Sequence, residues 1–158
     1  MFFEEKIIQE IRSLDKSTYL KNKKIKIFIK NKKYADQTDN VLIYSKYLND
    51  DEYNFIFDFC DYVGIIYNPA SYVYRSSGIF FDAVTFKKPI IYCKNMFFDE
   101  KVRQFGDIGL EYLNSMKGCF DSISQASYDI ERKNMESVYQ YYSNKNLLDD
   151  LRKIIESE

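Results

Sequence analysis

Apolar residues recur every three or four positions at the start of the chain. Phe3, Ile7, Ile8, Ile11 and Leu14 fall on one side of a helix that Lys16-Ser17 closes. The period then changes to two: in KIKIFIK (24–30), Ile25, Ile27 and Ile29 share a face, which predicts a strand. Polar NKKYADQTDN reads as a loop, and VLIYSKYL (41–48) as a second strand. Asn49-Asp50-Asp51 caps a helix whose Tyr53, Ile56, Phe57 and Cys60 stand at i, i+3, i+4 and i+7. YVGIIYN (62–68) is a short apolar run, suited to a strand buried on both faces.

After Pro69 opens a loop, NPASYVYR, a helix is predicted from Ser76-Ser77 through Phe86. Pro89 precedes a buried strand, IIYC (90–93). A short helix over 98–105, a strand over 109–113 and a helix over 119–126 follow. From Asn134 the chain reads as helical, with a break near Ser143-Asn144 and an apolar face of Leu147, Leu148, Leu151, Ile154 and Ile155. This alternation predicts an α/β fold: a Rossmann-like parallel sheet with helices on both faces. Residues 1–158 are expected to form a single domain, with C-terminal helices 134–156 packing on it.

Composition narrows the chemistry. The 15 Tyr and 13 Phe give an aromatic-rich globular chain, and its formal charge of −1 asks for no nucleic-acid partner. The basic run KNKKIKIFIKNKK (21–33) reads as a strand with solvated charged flanks. Cys60, Cys93 and Cys119 are widely spaced without a CxxC pair, as expected of reduced, packed thiols in the cytoplasm. Histidine is absent, which removes His metal sites and every nucleophile pair or general base built on histidine. No metal is expected. Acids run through the apolar N-terminal stretch, arguing against a signal peptide or a transmembrane segment.

The segment YRSSGIFFDA (74–83) carries the strongest chemical signal. Ser76, Ser77 and Gly78 fall where a strand hands over to a helix, the place where doubly wound sheets take ligands. The first N–H groups of a helix lack internal partners and sit at the positive end of its dipole. With Arg75 beside them they suit a phosphate, and Asp82, one turn along, suits sugar or ribose hydroxyls. The same residues also read as an ordinary capped helix start, with Gly78 as a packing contact and Asp82 as a solvated acid.

Residues 61–69, DYVGIIYNP, followed by YRSSGIFFDAVTFKKPII (74–91), resemble the C-terminal half of GT-B glycosyltransferases of the group 1 type. In that family an acid precedes a buried strand. A small-residue SSG turn, a Glu-Ala pair and a Lys-Pro-Val then follow. Asp61, Ser76-Ser77-Gly78, Asp82-Ala83 and Lys88-Pro89-Ile90 stand at those places. The likeness covers residues 3–125, and 61–91 is its specific part. It implies a nucleotide-sugar donor site, with diphosphate on Arg75, Ser76, Ser77 and Gly78 and ribose on Asp82. Lys46 and Tyr47 would lie in the base-reading loop, and Tyr74 near the donor sugar.

Three departures accompany the resemblance. Tyr74 stands where many members carry a second glutamate, and Asp82 is one methylene shorter than the usual Glu. Residues 1–158 open on a helix, where the family's domain opens with a strand, a glycine-containing loop and a basic pair. The family's active site is the cleft against an acceptor domain that these residues do not include. The expectation is therefore a nucleotide-sugar-binding half, with UDP-sugar favoured as substrate and no cofactor, used in surface polysaccharide synthesis. It would act with a separate acceptor-binding protein or a homo-oligomer, in the cytoplasm at the inner face of the membrane. The alternative is a non-enzymatic protein-interaction domain, or an inactive remnant retaining the fold. Clustered Tyr139, Tyr141 and Tyr142 speak for it.

Overall fold

The computed structural model describes residues 3–32, 35–68 and 78–143. Helix α1 (Phe3–Lys16) leads into a one-turn α2 (Tyr19–Lys23) and strand β1 (Ile27–Lys30). A two-residue β2 (Asp36–Gln37) and β3 (Val41–Tyr44) follow, then α3 (Asp50–Phe59) and β4 (Val63–Ile65). The second half alternates: α4 (Gly78–Thr85), β5 (Ile90–Tyr92), α5 (Met96–Phe105), β6 (Gly109–Glu111), α6 (Met116–Ser122) and α7 (Gln125–Tyr142).

The strands form two three-stranded sheets rather than the single parallel sheet expected. In the first, ordered β1-β3-β2, β1 runs parallel to β3 with Ile27 opposite Val41, and β2 is antiparallel to β3. In the second, β4, β5 and β6 are all parallel, with Val63 opposite Ile90 and Ile90 opposite Gly109. Among the described residues no ladder joins them, because β1 bonds only β3 and β4 bonds only β5.

Two apolar cores hold the layers. One places Ile7, Ile8 and Ile11 of α1 and Met116 and Phe120 of α6 with Val41, Ile43, Ile91 and Cys93. The other packs Phe57, Phe80, Phe98, Met135 and Val138 on Val63, Ile65 and Ile90. Successive residues of β5 serve opposite cores, and all three of its residues are buried, as the IIYC run predicted. The β4 strand departs from its expectation: Gly64 is exposed between buried Val63 and Ile65. Among the described residues β4 bonds only β5.

Several boundaries also shift. Strands are shorter than their apolar runs, since pairing stops at Tyr44 and Ile65. Helix α2 went unread because Thr18 and Lys24, neither a glycine, take left-handed backbone at φ 62° and 56° to start and stop it. The helix expected over 119–126 ends at Ser122, where Ser124 caps the separate α7. Residues from 144 onward, with the apolar face expected there, lie outside the described residues.

Candidate functional site

Helices α3 and α4 each begin after the carboxyl end of a parallel strand, and their N-termini differ in charge. Asn49 caps α3 in a closed box: its Oδ1 accepts from the Glu52 N–H at 2.9 Å, and Glu52 Oε2 accepts from the Asn49 N–H at 3.0 Å. Asp50, Asp51 and Glu52 oppose the dipole there. Helix α4 has no acid in its first turn. Its positive end is left uncompensated by its own side chains.

Gly78 opens α4 and is exposed. A Cβ built on it would meet nothing within 4 Å, and its φ is not among the positive values. Among the described residues, neither packing nor backbone conformation requires glycine here. One turn along, half-buried Asp82 accepts a hydrogen bond at Oδ2 from the Tyr53 hydroxyl, 2.7 Å away. Burial raises the Tyr53 phenol above its ordinary range, and the bond to Asp82 raises it further. This bond joins the second turn of α4 to α3 near its capped end.

The loop from β3 to α3 carries Lys46 and Tyr47. Both are exposed, Tyr47 at 87 %, and they stand a few residues upstream of Tyr53. Tyr53 thus places Asp82 against the element that follows this loop. Tyr74, Arg75, Ser76 and Ser77 lie outside the described residues. At the far end of α4, Lys87 turns left-handed at φ 54°, and the Lys88 N–H closes on Ala83 O at 2.8 Å. The Lys88 ammonium donates to Asp58 O at the end of α3, 2.9 Å away. The Lys-Pro segment therefore turns the chain from α4 into β5 and ties it to α3.

Sequence reasoning missed two polar residues. Tyr53 was read only as part of an apolar stripe, although a buried tyrosine hydroxyl calls for a partner. Glu131 is 3 % exposed and accepts from the Tyr62 hydroxyl at 2.7 Å. Burial raises its carboxyl above the ordinary range. Its signal was present in the spacing, since Glu131, Met135 and Val138 stand at i, i+4 and i+7 on the buried stripe of α7.

A cavity of about 350 Å³ lies elsewhere, lined by Arg12, Asp15, Lys16, Asp36, Thr38 and Val41. It sits at the amino end of β3, away from the strand ends where α3 and α4 begin. An Arg12–Asp36 pair at 2.9 Å occupies part of its wall, and the buried Arg12 Nε has no hydrogen-bond partner among the described residues. Among the described residues no three His, Cys, Asp or Glu cluster to hold a metal ion. No helix among them is long and apolar enough to cross a membrane. No protein-family model, curated protein or solved structure matches the chain.

Proposed function

We propose that this chain is the nucleotide-sugar-binding half of a glycosyltransferase, taking a UDP-sugar and working with a separate acceptor-binding protein. Gly78 is the observation that carries this reading. It opens a helix with no acid in its first turn, and among the described residues no contact accounts for the missing side chain. A diphosphate brought against that backbone would account for it. Arg75, Ser76 and Ser77 immediately precede it in sequence and supply a cation and two hydroxyls. Asp82 contributes its Oδ1 to the ribose hydroxyls, while Tyr53 fixes Oδ2. Lys46 and Tyr47 stand toward the base.

Transfer of a hexosyl group from such a donor requires stabilisation of the departing diphosphate, which helix N–H groups and a cation provide. The acceptor hydroxyl, and any base that deprotonates it, belong to the partner. Paired variants test the assignment. Asp82→Ala removes carboxylate and hydrogen bond together, whereas Tyr53→Phe removes the hydrogen bond alone. Calorimetric titration with UDP is expected to show Asp82→Ala binding about tenfold or more weaker, one charged hydrogen bond's worth. Tyr53→Phe should stay within about threefold of the parent on the same scale. Equal losses in the two variants would make Asp82 a tether between helices.

One observation favours a second reading, an interaction domain without catalysis. Phe55 and Phe59 stack at 5.8 Å on the outer side of α3, exposed at 66 % and 81 %. Adjacent exposed aromatics of this kind suit a protein surface.

A further inference from the structure

The cavity beside Arg12 is built from two segments that lie apart in sequence. Arg12, Asp15 and Lys16 stand at i, i+3 and i+4, on one face of the last turns of α1. Asp36 of β2, Thr38 in the turn and Val41 at the start of β3 form the other wall. Its volume of about 350 Å³ falls at the lower end of the range that small-molecule sites occupy.

Its polar groups are only partly used. Arg12 Nη2 meets Asp36 Oδ2 at 2.9 Å, with the two side chains 39 % and 42 % exposed. Asp15 Oδ1 accepts from Asn40 Nδ2 at 2.9 Å. Thr38 Oγ1 accepts from the Val41 N–H at 3.0 Å and the Asn40 N–H at 3.3 Å, which leaves its hydroxyl proton for a further acceptor. Lys16 is exposed and has no ion-pair partner among the described residues.

Two features oppose this arrangement as it stands. Asp15 lies in the last turn of α1, where a carboxylate opposes the helix dipole. The buried Arg12 Nε has no hydrogen-bond partner among the described residues. An unsatisfied buried donor costs more than an exposed ion pair returns. A carboxylate that drew the guanidinium toward it would satisfy Nε and an Nη together. A ligand of one sign fits poorly, however. Phosphate would meet Asp15 and Asp36 as well, and a simple cation would meet Arg12 and Lys16. A molecule carrying both charges finds a partner at each end.

We propose that this cavity binds a small zwitterionic amino acid. Its carboxylate is received by Arg12, Lys16 and the Thr38 hydroxyl, and its ammonium by Asp15 and Asp36, over the apolar surface of Val41. The site lies away from the first turn of α4, and the inference does not rest on the nucleotide reading.

The test is a chemical-shift titration of the labelled full chain with an equimolar mixture of the protein amino acids, then with its members singly. Acetate, methylammonium and inorganic phosphate serve as controls. Saturable shifts are expected at the Lys16, Thr38 and Val41 amides and at the Arg12 Nε–H. Acetate and methylammonium each offer one end and should bind at least about tenfold more weakly, the loss of one charged hydrogen bond. Asp15→Asn should weaken amino-acid binding and leave acetate binding unchanged. If melting shows that this variant does not fold, Lys16→Gln decides, since it removes an exposed cation and should melt like the parent. Lys16→Gln should bind the amino acid at least about threefold more weakly. No shift at millimolar amino acid, equal binding of acetate or phosphate, shifts centred on α4, or unchanged affinity in Lys16→Gln would overturn the proposal.

Discussion

Gly78 and Asp82 pose opposite questions at the scale of single residues: among the described residues one has no contact to explain it, the other has one already. Gly78→Ala should leave melting unchanged or raise stability by up to about 1 kcal/mol, since alanine suits a helix better and meets open space. If the diphosphate reading holds, the same variant binds UDP measurably more weakly. Calorimetry beside thermal melting separates the two effects, and unchanged affinity would remove Gly78 from the site. Glu131 makes a separate prediction about pH. Its carboxyl is raised in the folded chain, so the stability it lends is complete below its unfolded value and is lost as pH rises through the folded one. Glu131→Gln keeps an acceptor for Tyr62 and removes the charge. It should melt higher than the parent at pH 7, with the gap narrowing toward pH 4. A gap independent of pH would show that the charge is not what the burial opposes.

Where local chemistry decides an element, the sequence announced it. The Asn49 cap of α3 and the buried run of β5 are examples, and each follows from residue types at fixed spacing. The elements that went unread depend on contacts distant in sequence. Strand β2 exists because Asp36 and Gln37 pair with β3, and their polarity gave no sign of it. Likewise β4 and β6 end where their neighbours end, several residues inside their apolar runs. The β5–β6 pairing itself depends on Gly109. A Cβ there would lie 1.8 Å from Ile90 O, closer than any packing can relax. Gly109→Ala should therefore cost roughly 3 kcal/mol or more, checked by urea denaturation. A loss under about 1 kcal/mol would mean the strands can separate without penalty.

Taken whole, the molecule is α/β, with a small parallel sheet flanked by helices. That much follows from periodicity. The division into two sheets does not, because alternation predicts which residues form strands and leaves open which strands are neighbours. The candidate site was legible as a motif, while its tie to α3 through Tyr53 was not, since a hydrogen bond spanning residues 53 and 82 leaves no local pattern. The central claim is that the first turn of α4 seats a nucleotide diphosphate. Its most direct test is a chemical-shift titration of the labelled chain with UDP, GDP and their sugar conjugates. The account predicts saturable shifts concentrated at Ser76, Ser77, Gly78 and Asp82, with UDP binding more tightly than GDP. No shift at millimolar nucleotide, or shifts confined to the cavity around Arg12, would contradict it.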